Sequence, residues 1–196
     1  MLDLVLPRRC VVCASAGTSL CPACATSLPP APALPPPPHL DRCWALLSYR
    51  DGGARLAIDL KHGRRDLVPV VGPALGALAT SLAGGDGWTL TWAPTSAARR
   101  RARGYDQARL LARAAAASAG LPARGLLRRG DGPAQSGRDR VARLAGPSFR
   151  ARRRVPGRVV VVDDVWTTGA TLAAAARSLR EAGASEVCGL ALAVRP

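Results

Sequence analysis

The sequence predicts an α/β domain built on a parallel sheet and preceded by a small zinc-ribbon-like module. Three observations carry that prediction. From residue 43 onward, short apolar runs alternate with amphipathic stretches, the pattern of strands joined by crossover helices. Residues 158–165 form a nearly unbroken valine run, as a strand covered on both faces requires. Four of the six cysteines fall in two C-x-x-C pairs near the start of the chain.

The elements follow in order. Residues 43–49 read as a short apolar strand and 53–60 as a helix ending near Gly63. Residues 66–82 keep a helical pattern despite Pro69 and Pro73. Residues 88–93 alternate as a strand and stop at Pro94. Residues 106–118 are a helix with Asp106 at its cap and Gly120 just past its end. The valine strand 158–165 comes next, then a helix over 171–182 closed by Gly183, then a last strand over 186–194. Cys43 and Cys188 sit inside apolar runs and read as core residues.

The chain divides into a module at 1–28, a proline-rich linker at 29–40 and the main domain at 41–196. Cys10, Cys13, Cys21 and Cys24 could give four thiolates to one tetrahedral ion, because a two-residue spacer lets both sulfurs of a pair face one centre. Structural Zn²⁺ is the expected occupant, and a closed Cys₄ shell leaves no position for a substrate. An iron–sulfur cluster and a disulfide framework are the alternatives, the latter disfavoured in a cytosolic chain. Seven of the ten residues 29–38 are proline, which favours a stiff polyproline spacer.

Composition narrows the function classes. At 196 residues, 48% apolar and 21% charged, the chain is globular rather than disordered. The longest membrane-span candidate, 67–82, falls short of the ~18 apolar residues a span needs. Asp3 comes early and the first arginines follow the apolar start, the wrong order for a secretory signal. A cytoplasmic protein without membrane insertion is expected. The chain has 27 arginines and one lysine, Lys61. Where arginine is the default cation, a lone lysine points to a site that wants a compact ammonium. Of the net charge of +15, residues 99–158 carry +14, with 17 Arg against Asp106, Asp131 and Asp139. Such a field draws nucleic acid, acidic membrane surfaces or a polyanionic metabolite.

One strand end carries most of the chemistry. The valine strand delivers Asp163 and Asp164, a loop of Thr167, Thr168, Gly169, Ala170 and Thr171 follows, and a helix begins. Helix N-termini offer N–H groups and partial positive charge to phosphate. Carboxylates beside a phosphate cradle suit sugar hydroxyls or Mg²⁺, and the combination points to a phosphorylated ribose. The hydrophobic strand, acid pair and Thr-Gly loop resemble the phosphoribosyl pyrophosphate (PRPP) signature of type I phosphoribosyltransferases.

The resemblance narrows with the rest of the chain. A Cys₄ module before such a domain, Lys61-His62-Gly63-Arg64, Arg103-Gly104-Tyr105-Asp106-Gln107, Gln135-Ser136-Gly137 and Gly146-Pro147-Ser148-Phe149 together resemble the ComF-type competence family. Asp106 stands where that family has Asn, and the run after Gln135 lacks its Asn. The resemblance implies a phosphoribosyltransferase that binds Mg²⁺-PRPP and passes the phosphoribosyl group to an acceptor. Asp163 and Asp164 would face the ribose hydroxyls, and Thr167, Thr168, Gly169, Ala170 and Thr171 would hold the 5′-phosphate. Lys61 and Arg103 would be catalytic, with Arg64, Arg99, Arg100 and Arg101 as further cations for the pyrophosphate. Relatives acting on 6-oxopurines carry an acid where Thr167 stands, so the loop offers no general base. His39 and His62 are the only imidazoles. The second class of function is a PRPP- or nucleotide-binding accessory protein acting with single-stranded DNA or DNA-uptake proteins.

Overall fold

The computed structural model describes residues 8–130, 147–155 and 157–195. The segments expected around Gln135 and at Gly146 lie outside them. The elements are α1 (Pro22–Ser27), β1 (Arg42–Ser48), α2 (Asp51–Lys61), α3 (Val68–Ala83), β2 (Trp88–Trp92), α4 (Ala97–Arg103) and α5 (Gln107–Ala119). Then come β3 (Leu127–Arg129), β4 (Phe149–Ala151), β5 (Gly157–Trp166), α6 (Ala170–Glu181) and β6 (Ala184–Val194). A single 3-10 turn, Arg65–Leu67, leads into α3.

Four strands make one sheet in the order β1-β6-β5-β2, parallel at every pairing. Its central strands carry long apolar runs, residues 159–162 of β5 and 187–194 of β6, because helices cover both faces. Val160 and Val162 point to one face, where they meet Leu56, Leu75 and Leu111 from α2, α3 and α5. Val159 and Val161 point to the other, against Leu172, Leu179 and Phe149 from α6 and β4. The helices α3 and α5 approach closely through glycine. A Cβ on Gly72 would stand 2.9 Å from the Ala114 Cβ, and one on Gly76 2.7 Å from the Ser118 Cβ. The stretch 65–83 is apolar and long enough to cross a membrane, the one such helical segment among the described residues. Its Leu67, Val71, Leu75, Ala79 and Leu82 are instead buried in the core.

Two parts differ from the sequence expectation. Residues 94–103, to which the pattern of apolar residues assigns no element, contain the helix α4, whose cap is the Ser96 hydroxyl accepting from the Arg99 N–H at 3.2 Å. Three consecutive arginines hid it, since no apolar stripe marks a helix that buries nothing. A two-stranded antiparallel hairpin, β3 with β4, was also unforeseen, because each strand is only three residues long.

The proline-rich segment, expected as a stiff spacer, packs against the main domain. The Ser48 N–H donates to Pro29 O at 2.9 Å, and the Ala31 N–H to Leu46 O at 3.3 Å. The segment thus lies along the open edge of β1. Prolines, lacking N–H groups, shield such an edge without creating a new one. The cysteine module is also packed onto the main domain. Cys10, Val11 and Leu20 belong to the same buried cluster as Leu56 and Leu60.

Candidate functional site

A cavity of about 710 Å³ opens at the carboxyl ends of the parallel strands, where α/β sheets bind ligands. Lys61, Arg99, Arg103, Asp163, Asp164, Thr167 and Thr171 all line it, so seven of the residues singled out from sequence meet in one place.

Asp163 and Asp164 end the valine run of β5. Although it stands near a strand tip, Asp163 is only 9% exposed. Its Oδ1 accepts the Asp164 N–H at 2.9 Å, and the Asp164 Oδ1 accepts the Val165 N–H at 2.8 Å. Burial first, and the neighbouring Asp164 second, push the Asp163 carboxyl well above the ordinary carboxylate value. Lys61, the last residue of α2, places its Nζ 3.4 Å from the Asp164 Oδ2. The hydroxyl of Tyr105 donates to Leu60 O and holds that helix end in place.

The loop after β5 turns on Gly169, which caps α6 at φ +77°. A Cβ there would come within 2.6 Å of Pro37, so the proline-rich segment backs the loop directly. Thr168 Oγ1 accepts the Ala170 N–H at 3.4 Å. Thr167 and Thr171 line the cavity, whereas Thr168, Gly169 and Ala170 form the turn behind them.

The arginines divide by helix geometry. Positions 99 and 103 are four apart and share one face of α4, so both reach the cavity. Arg100 turns instead to a groove beside Trp92 and Arg109, and Arg101 is exposed. Arg64 faces the cysteine module. It bonds Asp66 through Nε at 3.0 Å and Nη2 at 2.9 Å, and Arg9 O through Nη2 at 2.9 Å. His62 is not in the cavity lining but in an adjoining depression that shares Lys61 and Arg103 with it.

Other cavity residues were not singled out as ligand contacts from sequence. Arg129 ends β3, and its Nη1 donates to Pro94 O at 3.3 Å. Burial and the nearby Arg99 hold its guanidinium below its ordinary pKa. Arg195 follows β6 and lies over the Tyr49 ring at 5.2 Å. Asp106 and Gln107 sit at the start of α5. Asp106 is buried, its Oδ2 accepting from Thr95 N at 3.0 Å and its Oδ1 from Arg109 N at 3.3 Å. Burial raises its pKa, and the two N–H groups hold it down in part. Asp106 thus ties the exit of β2 to α5. Position alone could have found Arg195, which follows the last strand at the ligand-binding end, but no sequence signal marks Arg129.

The four sulfurs of Cys10, Cys13, Cys21 and Cys24 lie within 4.8 Å of one another, and all four cysteines are unbridged. Cys13 Sγ and Cys21 Sγ are 3.8 Å apart. A tetrahedron with Zn–S bonds of ~2.3 Å has edges of about 3.8 Å, so the cluster fits a zinc ion.

No protein-family model and no curated protein matches the chain. Solved structures do. An allosteric regulatory enzyme of purine biosynthesis matches 62% of this chain and 25% of its own, at 25% identity and TM-score 0.41. Glutamine PRPP amidotransferase from B. subtilis, complexed with ADP and GMP, matches 62% of this chain and 26% of its own, at 26% identity and TM-score 0.42. Phosphoribosylpyrophosphate synthetase from Mycobacterium smegmatis matches 63% of this chain and 33% of its own, at 20% identity and TM-score 0.40. The chain therefore spans a quarter to a third of the length of these enzymes.

Proposed function

We propose that the protein binds Mg²⁺-PRPP in the cavity above β5 and transfers its phosphoribosyl group to an acceptor. The observation that carries this reading is the Asp163–Asp164 pair at the tip of β5, with the Lys61 ammonium 3.4 Å from Asp164 and the Thr167–Gly169 turn opening α6 beside it.

In this reading the ribose 2′- and 3′-hydroxyls donate to Asp163 and Asp164. The 5′-phosphate takes the Thr167 and Thr171 hydroxyls and the first N–H groups of α6. Arg99 and Arg103 neutralise the pyrophosphate as its bond to the anomeric carbon breaks. Both project from one face of α4, four residues apart, toward the place where that charge develops. Carboxylates and hydroxyls are a hard-oxygen set that suits Mg²⁺, held by Asp164 together with the ligand's own oxygens. The ion would supply charge neutralisation for the departing pyrophosphate. Lys61, 3.4 Å from the Asp164 Oδ2, holds that carboxyl group in place beside the ribose hydroxyls. A structural zinc at Cys10, Cys13, Cys21 and Cys24 belongs to the same proposal, as does a cytoplasmic location.

Calorimetric titration of Mg²⁺-PRPP into the parent and into Asp163→Asn/Asp164→Asn tests the reading. Tight binding in the parent and its loss in the double variant is the expected result. Equal affinity in both sinks it.

A second reading, an accessory protein for DNA uptake of the ComF type, draws on a groove beside the cavity. There Trp92 and Tyr105 lie among Arg100, Arg109, Arg113 and Arg152. Aromatic platforms among cations suit single strands. Single-strand affinity with a steep salt slope, in a protein that binds no PRPP, would favour it.

A further inference from the structure

Gln107 is the first residue of α5 and is 2% exposed, yet its amide Nε2 has no hydrogen-bond partner. Buried side-chain donors are rarely left unpaired, because the lost hydration is not recovered. Among the described residues the one other such atom is Trp88 Nε1, at the opening residue of β2 and so at the opposite end of the sheet from the cavity. Gln107, by contrast, lines the cavity.

Its surroundings say what would satisfy it. The first N–H groups of α5 have no partner within the helix, and the residue after Gln107 also lines the cavity. Arg99 and Arg129 lie on the same wall. Arg129 is fixed by Pro94 O at 3.3 Å and by the Phe149 ring at 5.6 Å, so it is a preset cation rather than a swinging surface arginine. Of the two acids whose charge reaches Arg129, Asp106 already accepts from Thr95 and Arg109 through both oxygens, and Asp163 accepts the Asp164 N–H through its Oδ1. This wall therefore offers an amide donor, two guanidinium groups and a helix start, and almost no free acceptor. It complements a group that presents oxygens alone.

We propose that Gln107 and Arg129 form an oxyanion subsite on the β2 side of the cavity, Gln107 Nε2 donating to a ligand oxygen while Arg129 neutralises it. The subsite rests on the PRPP reading, in which the ribose and 5′-phosphate occupy the β5 and α6 side. Its occupant is then either the pyrophosphate end of the donor or a carboxylate on the acceptor, and both present the same chemistry.

The test titrates inorganic pyrophosphate, oxalate and ribose 5-phosphate into the full chain, as parent, Gln107→Leu and Gln107→Glu. Both variants should lose roughly tenfold or more in affinity for pyrophosphate or for oxalate, the scale of one hydrogen bond to a charged group. Ribose 5-phosphate should bind as before. Loss of pyrophosphate affinity assigns the subsite to the donor, and loss of oxalate affinity assigns it to the acceptor. Gln107→Leu should melt no lower than the parent, since it removes an unpaired donor. If both oxyanions bind the variants as well as the parent, or if all three ligands weaken together with a falling melting temperature, the subsite is overturned and Gln107 is structural. If the parent binds ribose 5-phosphate but neither oxyanion, the subsite alone fails. If the parent binds none of the three, the PRPP reading fails with it.

Discussion

Lys61 and Asp164 face each other across the cavity with Nζ and Oδ2 3.4 Å apart, joining the end of α2 to the tip of β5. The only lysine in a chain of 27 arginines therefore stands at the carboxylate pair.

Lys61→Ala and Lys61→Arg should both lower PRPP affinity, the first by about 10- to 100-fold, as loss of a charge-assisted contact implies. The arginine variant should be impaired as well, because a planar fork does not replace a compact ammonium at a tight site. Both should fold, since the Lys61 side chain is 29% exposed. Calorimetry and far-UV circular dichroism check this, and parent-like binding by Lys61→Arg would remove the lysine from the site.

Asp163 gives a pH signature. Its folded carboxyl titrates well above the ordinary value because burial and Asp164 disfavour its charge. The folded state therefore holds the proton more tightly than the unfolded chain. Stability is greatest below the ordinary carboxylate pKa of ~3.9 and declines as pH rises toward the folded value. Asp163→Asn should flatten that decline in ligand-free protein and raise the melting temperature at pH 7 by a few degrees, about 2–4 °C per kcal/mol at this size. It should at the same time weaken PRPP binding. Thermal melts between pH 4 and 8 decide, and an unchanged slope would contradict the burial argument.

Cys13→Ser, or chelation of the full chain, should release one zinc ion and lower the stability of the whole domain, since Cys10, Val11 and Leu20 are part of the main core. Elemental analysis with a melting curve tests both halves. A zinc-free parent, or iron with a visible chromophore, would overturn the assignment.

Gly169→Ala should be costly. Position 169 has φ +77°, and the new Cβ would lie 2.6 Å from Pro37. Strain of this kind costs about 1–3 kcal/mol, apart from the clash. The variant should melt lower and bind ribose 5-phosphate more weakly. Parent-like behaviour in both would show that the loop and the proline segment yield freely.

Much of the fold could be read from the pattern of residues. The valine run, the Asp106 cap with Gly120 and the Thr-Gly loop each use a local rule that tertiary structure did not override. α4 could not be read that way, because its arginines face solvent and a cavity, and neither leaves an apolar period. The site was half legible for a related reason. Asp163, Asp164, Thr167 and Thr171 lie in one short stretch of sequence, so their motif announces them. Arg129 and Gln107 reach the cavity only through the hairpin and the turn that Asp106 pins. The split of Arg99 and Arg103 from Arg100 and Arg101 needed the helix to be known first.

The packing of Pro37 against Gly169 has a mechanical consequence. The cysteine module connects to the cavity by two routes. One runs through Arg64, bonded to Arg9 O, to Lys61 at the end of α2. The other runs along the proline segment to the turn that opens α6. A body anchored at two points forms a closed linkage with them. It cannot swivel without shifting the lysine on one side of the carboxylates and the Thr-Gly turn on the other, so the span between them is gauged by a part of the chain that touches neither.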